Sequence, residues 1–399
     1  MPRKGYSVSY MILCLVALIA MFATSLVNPL LSIFAKSIGA TGVMIGLSVA
    51  AYWVARVLLE IPSGFISSRW GYYWPMFLGL ILTAVGTFYN AFVTDPVQLI
   101  IARGLQGFGA PLFFAVSMTL ILNMFPVETR GSAMGIFQGI EFGGTILGST
   151  FSGFLITALG FFGGFILSAI LCVIAVALIL IPRVKKESSA IPKSRPMKLS
   201  DIPMMFRNRT LLVVCLATFV SFVVSQGVLY TTFPLYANGT LKMSLTDIGL
   251  IMGARSVGYV LAIFTMGIIS DRIWRKPVLM FGIAATAIMV LPLTLISGLY
   301  MTMAIFFLLG ITTGAVWIIG PVLAAEAVEA ESRGAAVGTY RTFFDLGSIF
   351  GPIIMTWVLD VQGASWTFYL SSIMLAVAFV PSLMAVETKP IVKKPGKLA

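Results

Sequence analysis

The chain has 399 residues, 59% hydrophobic and 10% charged, with a mean hydropathy of +1.02. A soluble domain carries about a quarter charged residues, so this composition excludes a water-soluble globular protein and places the chain in lipid. The net charge of +12 follows the loops in the pattern of a membrane topology, so no nucleic-acid partner is expected.

Apolar runs long enough to cross a hydrocarbon core of about 30 Å predict twelve helices. They lie near 8–34, 42–66, 73–92, 97–124, 132–157, 162–182, 211–236, 245–269, 277–297, 300–325, 335–359 and 364–385. Barrel strands would be short and alternating, so a β-barrel is excluded. The first run lacks a small-residue cleavage signal after a short core and reads as a retained helix. The expected fold class is therefore an all-α membrane protein. Its organisation reads as an N-terminal six-helix bundle over 1–182, a linker over 183–209, a C-terminal six-helix bundle over 210–386 and a tail over 387–399. Pro192, Pro196 and Pro203 interrupt the linker, where charge also rises sharply. Within it, 199–206 has the composition of a short amphipathic helix lying on the membrane.

With both termini inside, the inner segments hold 20 Lys and Arg residues and the outer segments hold two, Lys36 and Lys242. The positive-inside rule then places both termini and the linker in the cytoplasm of a cell whose plasma (inner) membrane holds the protein. Cys14, Cys172 and Cys215 fall in or beside apolar runs and read as small buried hydrophobes. The chain has no histidine, so no histidine metal site or histidine proton relay is expected. No phosphate-cradling Gly-x-x-x-x-Gly-Lys-Ser/Thr loop occurs, and nothing points to catalysis or to a cofactor.

One phrase is written twice. Gly64-Phe65-Ile66-Ser67-Ser68-Arg69 returns as Gly267-Ile268-Ile269-Ser270-Asp271-Arg272, 203 residues later. Glu128-Thr129-Arg130-Gly131 returns as Glu331-Ser332-Arg333-Gly334 at the same offset, and Ile45-Gly46-Leu47 as Ile248-Gly249-Leu250. A six-span unit leaves both copies in one orientation. The two bundles are thus related by an axis along the membrane normal, with a site between them near mid-membrane.

Gly267, Asp271, Arg272, Arg275 and Lys276 match Gly-x-x-x-Asp-Arg-x-x-Arg-Lys, and Arg103, Gln106, Gly107 and Gly109 match Arg-x-x-Gln-Gly-x-Gly. With the repeat and the topology, these residues resemble the major facilitator superfamily over nearly the whole chain. The likeness is to its drug/proton antiporter branch, with departures. Ser68 stands where the first-half loop should carry an acid beside Gly64 and Arg69. The glycine ladder ending in Gly-Pro, familiar from the fifth span of exporters, lies in the eleventh as Gly338, Gly347, Gly351 and Pro352.

A charge at a helix centre costs roughly 2.5–3.5 kcal/mol on insertion scales, so each one needs a partner or a cavity. Arg56 and Glu60 lie four apart on the second span, and Arg341 and Asp345 four apart on the eleventh. Each spacing puts two opposite charges on one helix face, where they can neutralise each other. The resemblance implies that these two spans are neighbours and form one four-charge cluster. It also implies that the fifth span lies beside the eighth, bringing Glu141 near Arg255. Glu141 has no Lys or Arg three or four positions away, and a carboxyl can carry a proton where arginine cannot. It is the first candidate proton carrier, followed by Asp345 and Glu60. The resemblance links Arg103 to proton coupling or to an anionic substrate. It also places Asn28, Gln226 and Tyr230 as polar groups, and Phe113, Phe114 and Trp317 as apolar wall, around a substrate cavity. The resemblance further implies that Asp271 faces the N-terminus of the fifth span near Ser132, which an acid favours, and that Ser68 hydrogen-bonds the start of the eleventh.

These residues together imply a secondary active transporter that works as a monomer. It would export small amphipathic organic compounds by alternating access, with the proton gradient as energy source and no cofactor. Transport of organic anions or metabolites through the membrane arginines is the second expectation. A non-transporting sensor or a channel on the same fold is the third.

Overall fold

A computed structural model describes residues 7–191, 208–329 and 333–387. The segment 199–206 lies outside the described residues. The described residues are helical almost throughout, with apolar side chains both in the core and on the perimeter. Leu58, Phe154, Phe264 and Val377 are exposed on the perimeter, while Leu13, Phe137, Phe233 and Phe306 are buried between helices. That is how a bundle solvated by lipid packs, because lipid tails offer no hydrophobic penalty to exposed apolar side chains.

The first half consists of α1 (Val8–Ser25), α2 (Leu31–Ser37), α3 (Gly42–Trp70), α4 (Tyr73–Asn90), α5 (Pro96–Met124) and α6 (Val127–Ile179). α1 and α2 form one crossing, interrupted by a 3-10 turn at Asn28–Leu30 where Pro29 removes a backbone donor. α6 is two crossings joined at Gly160, whose φ of 69° lies outside the range of a helix and suits glycine. α7 (Pro182–Ser189) follows. It is docked under the first half by the Ser9 hydroxyl, which donates to the Arg183 carbonyl, and by Lys185 over the Tyr73 and Trp74 rings.

The second half repeats the plan with α8 (Arg209–Val224), α9 (Phe233–Gly239), α10 (Leu245–Arg272), α11 (Arg275–Val290), α12 (Leu299–Glu326), α13 (Arg333–Gln362) and α14 (Ala364–Ser382). α8 and α9 are joined by a π-helical stretch, Ser225–Thr232, and count as one crossing. The architecture is thus twelve transmembrane helices in two pseudo-symmetric six-helix bundles. Helix starts follow ordinary capping chemistry. Asp95 accepts from the Val97 and Gln98 amides at the head of α5, and Ser244 and Asp247 form a reciprocal box at the head of α10.

The halves meet where α3 packs on α13 and α6 on α10. Glycines permit that approach. A side chain at Gly46 would strike the Pro352 carbonyl, and one at Gly153 the Leu245 carbonyl. These contacts lie toward the face opposite the one where residues 7 and 387 end. Toward the terminal face, Gly64, Gly131, Gly135, Gly139 and Gly267 have open space where a side chain would begin.

Candidate functional site

The four expected charges assemble across the α3–α13 contact. Arg56 Nε lies 3.5 Å from Glu60 Oε2 and 3.8 Å from Asp345 Oδ1, and Arg341 Nη1 lies 3.2 Å from Glu60 Oε1. Neutralisation within α13 is not how the second pair is arranged. Arg341 turns to Glu60 and Asp345 to Arg56, so the charges are matched mainly between the halves. Asp345 is 2% exposed, whereas Arg341 and Glu60 keep partial access to solvent.

Glu141, on α6, is 9% exposed, and the cations whose charge acts on its carboxyl are Arg56 and Arg341. The expected pairing with Arg255 is therefore corrected. α6 and α10 do lie side by side, but antiparallel and in a register that separates the two residues. Gly153 meets Gly249, Thr150 meets Gly253, and the Phe142 ring lies 5.8 Å from Tyr259. Glu141 is then level with about residue 262, seven positions or roughly 10 Å along the axis from Arg255. Arg255 instead donates to Ser225 Oγ at 2.8 Å and lies 4.6 Å over the Tyr230 ring.

Arg103 is held inside the first half. Its Nη1 donates to Asn28 Oδ1 (3.1 Å) and Gln106 Oε1 (2.7 Å), and its guanidinium lies 5.0 Å over Tyr52. Gln106 in turn donates to Thr87 Oγ1 at 2.7 Å. The Arg-x-x-Gln spacing on α5 thus places one side chain to orient the other. Asn28 takes part because the break after α1 frees it to face inward.

An aromatic group packs beside the charges. Phe344 lies 5.4 Å from Trp53, 5.0 Å from Trp317 and 4.1 Å from Phe222, while Arg56 faces Trp53 at 5.3 Å and Phe344 at 5.7 Å. Trp317 was expected in the apolar wall of a cavity, and Trp53, Phe222 and Phe344 were not among the expected site residues. Their neighbours Tyr52, Arg56 and Asp345 on the same helices were the available signal. Phe113 is corrected, because it is fully buried in the first-half core. Phe114 is half-buried against that same core, and Gln226 is half-buried in the π stretch.

At the terminal face the expected gate differs from the structure. The Ser68 hydroxyl donates to the Phe65 carbonyl of its own helix, and among the described residues it has no bond to the start of α13. A serine near a helix end readily bonds back to its preceding turn. The side chain of Asp271 lies outside the described residues, and Arg69 and Arg272 are exposed. The rest of the motif is tied within the second half. The Arg275 and Lys276 amides donate to the Glu387 carboxylate at 3.2 and 3.0 Å, and Arg275 Nε pairs with Glu326 at 2.8 Å.

Comparison with known proteins agrees with this architecture. The sequence model of the Major Facilitator Superfamily matches residues 13–244 and 214–398. Quinolone resistance protein NorA of Staphylococcus aureus is 24% identical over 344 residues, 84% of this chain and 86% of that protein. An uncharacterized MFS-type transporter of Methanocaldococcus jannaschii is 21% identical over 373 residues, 92% of this chain and 95% of that protein. The inward-facing, unoccupied crystal structure of a bacterial homolog of the human lysosomal transporter Spinster superposes with a TM-score of 0.79 at 13% identity. That alignment covers 96% of this chain and 98% of the other. Fold, repeat and sequence thus agree, and the chain belongs to the Major Facilitator Superfamily.

Proposed function

We propose that this transporter uses the proton gradient to export amphipathic organic compounds by alternating access. The observation that carries the reading is a charge imbalance at the junction of the halves. Two carboxyls, Glu60 and Asp345, pair with two guanidiniums, Arg56 and Arg341, and a third carboxyl, Glu141, is buried within reach of both positive charges. Fully ionised, the cluster carries one net negative charge at a partly buried interface, and a single bound proton balances it. Glu141 is the carboxyl that makes no direct ion pair among the described residues, so it is the group that takes and gives up that proton. Rocking of residues 1–182 against 210–386 about the linker opens the cluster to one side and then the other.

The basic asymmetry of the loops supports placing the terminal face in the cytoplasm. The close contacts between the halves at the opposite face, Gly46 on the Pro352 carbonyl and Gly153 on the Leu245 carbonyl, support reading the described state as cytoplasm-open. The aromatic group of Trp53, Phe222, Trp317 and Phe344 supports an amphipathic cargo. The name of NorA, a quinolone resistance protein, supports export. The test uses purified protein in liposomes and a panel of fluorescent amphipathic dyes. Accumulation that follows an imposed pH gradient and collapses with nigericin is expected. Transport of every accumulated dye unchanged by nigericin would contradict proton coupling.

A further inference from the structure

Two buried guanidiniums remain outside the proton cluster. Arg103 and Arg255 are 6% and 4% exposed, and neither makes an ion pair among the described residues. Arg103 has two amide oxygens as acceptors. Arg255 has one hydroxyl, Ser225 Oγ, and the face of Tyr230, and its buried Nε–H has no acceptor. Arg103 shares the orphaned Nε–H, but Arg255 has only one neutral oxygen to offset a full positive charge.

Its position is distinctive. Span 1 leaves the α-helix at Asn28–Leu30, and span 7 leaves it at Ser225–Thr232. The repeat offset of 203 carries Asn28 onto Thr231, so the two interruptions are equivalent places in the two halves. They also touch each other, and the first lies against α10, the helix that carries Arg255. Interrupted helices near the pseudo-two-fold axis expose backbone and polar side chains that a continuous helix would hide. π stretches of this kind occur often at functional sites. Tyr230, whose ring lies under Arg255, is only half-buried.

We propose that Arg255, framed by Ser225 and Tyr230, receives an anionic group of the transported molecule, a carboxylate for example. This rests on the transporter reading above and narrows its cargo to amphipathic compounds that carry a negative group. The fork of N–H donors at Nε and Nη suits a carboxylate. The group then supplies the charge that the protein leaves out.

The test is binding to purified protein without any gradient, so it is independent of proton coupling. The probes are matched naphthalene and biphenyl compounds bearing a carboxylate, a primary amide or a methylammonium, and the readout is the thermal shift. Wild type is expected to prefer each carboxylate over its amide and ammonium. Arg255→Gln is expected to weaken the carboxylates about tenfold, the loss of one charge-assisted hydrogen bond, with the amides unchanged. Arg255→Lys, which keeps the charge, is expected to keep the preference, and it carries the test if the Gln variant does not fold. A merely structural role for Arg255 would change all three head groups alike. Wild type without a carboxylate preference, or either variant with the loss spread equally over the three groups, overturns the proposal. Those results would leave proton-driven transport of other compounds standing.

Discussion

Arg341 Nη1 lies 3.2 Å from Glu60 Oε1, an ion pair between α13 of the second half and α3 of the first. Both side chains are partly solvated, so the pair is worth little as a source of fold stability. Its value is positional, because it holds the halves in one relation. Glu60→Arg and Arg341→Glu are each expected to cut gradient-driven transport by about tenfold or more, roughly 1.4 kcal/mol of coupling between the halves. The double exchange is expected to recover part of the loss, because Glu60 also pairs with Arg56. Transport assays on the three variants check it, and a double variant no better than either single one would count against the pair.

A second contact between the halves lies at the opposite face. The Asp360 carboxylate of α13 sits against Gly42 at the first turn of α3, whose N-cap residue Thr41 makes no side-chain cap. The equivalent helix α10 carries its own Ser244–Asp247 box, and there Thr157 faces Thr246 at 3.2 Å. Asp360 thus supplies from across the interface the negative group that α3 lacks. Asp360 is exposed, so the gain falls within about 0.3–1 kcal/mol and is screened by salt. Asp360→Asn is expected to shift the population toward opening of this face by at most about fivefold. Distances between spin labels at Ser37 and Thr240 check it. A mutant distribution equal to wild type at low salt would contradict it.

Close packing gives a prediction about stability. A side chain at Gly107 would meet the Tyr52 carbonyl and, at 2.9 Å, Ala55 Cβ, whereas Gly139 has open space. Gly107→Ala is expected to cost about 1–3 kcal/mol by forcing α3 and α5 apart, lowering Tm by about 3–8 °C. Gly139→Ala is expected to leave Tm unchanged. Equal Tm for both variants would refute the close approach.

Much of this was legible in the sequence, for identifiable reasons. Long apolar runs and the 203-residue offset mark the crossings and the two halves without any knowledge of contacts. Four-residue spacing put each of the α3 and α13 charge pairs on one helix face, and the family resemblance, not the spacing, implied that the two helices are neighbours. What spacing omits is the register between helices. That is why Glu141 was expected beside Arg255 when α6 and α10 meet in a register that puts Arg56 and Arg341 near it instead. It also omits the direction of a side chain around its own helix, which sent Phe113 into the first-half core and turned Ser68 back to Phe65. The π stretch under Arg255 has no sequence signature of its own, since Ser225–Thr232 reads as ordinary helix.

Topology is tested with cysteines at Ser189 and Thr240, both exposed and on opposite faces, over a background in which Cys14, Cys172 and Cys215 are buried. An impermeant thiol reagent added to intact cells is expected to label Thr240→Cys and spare Ser189→Cys. The reverse pattern would invert the orientation.

The central claim is that one proton on the interface cluster is exchanged for substrate, with Glu141 as its carrier. The most direct measurement is proton release when a transported dye binds the solubilised protein in weakly buffered solution. Wild type is expected to release up to about one proton per dye bound at a pH where the cluster is protonated. Glu141→Gln is expected to bind the dye within a few-fold of wild type and to release none. Release from Glu141→Gln equal to that of wild type would contradict the account.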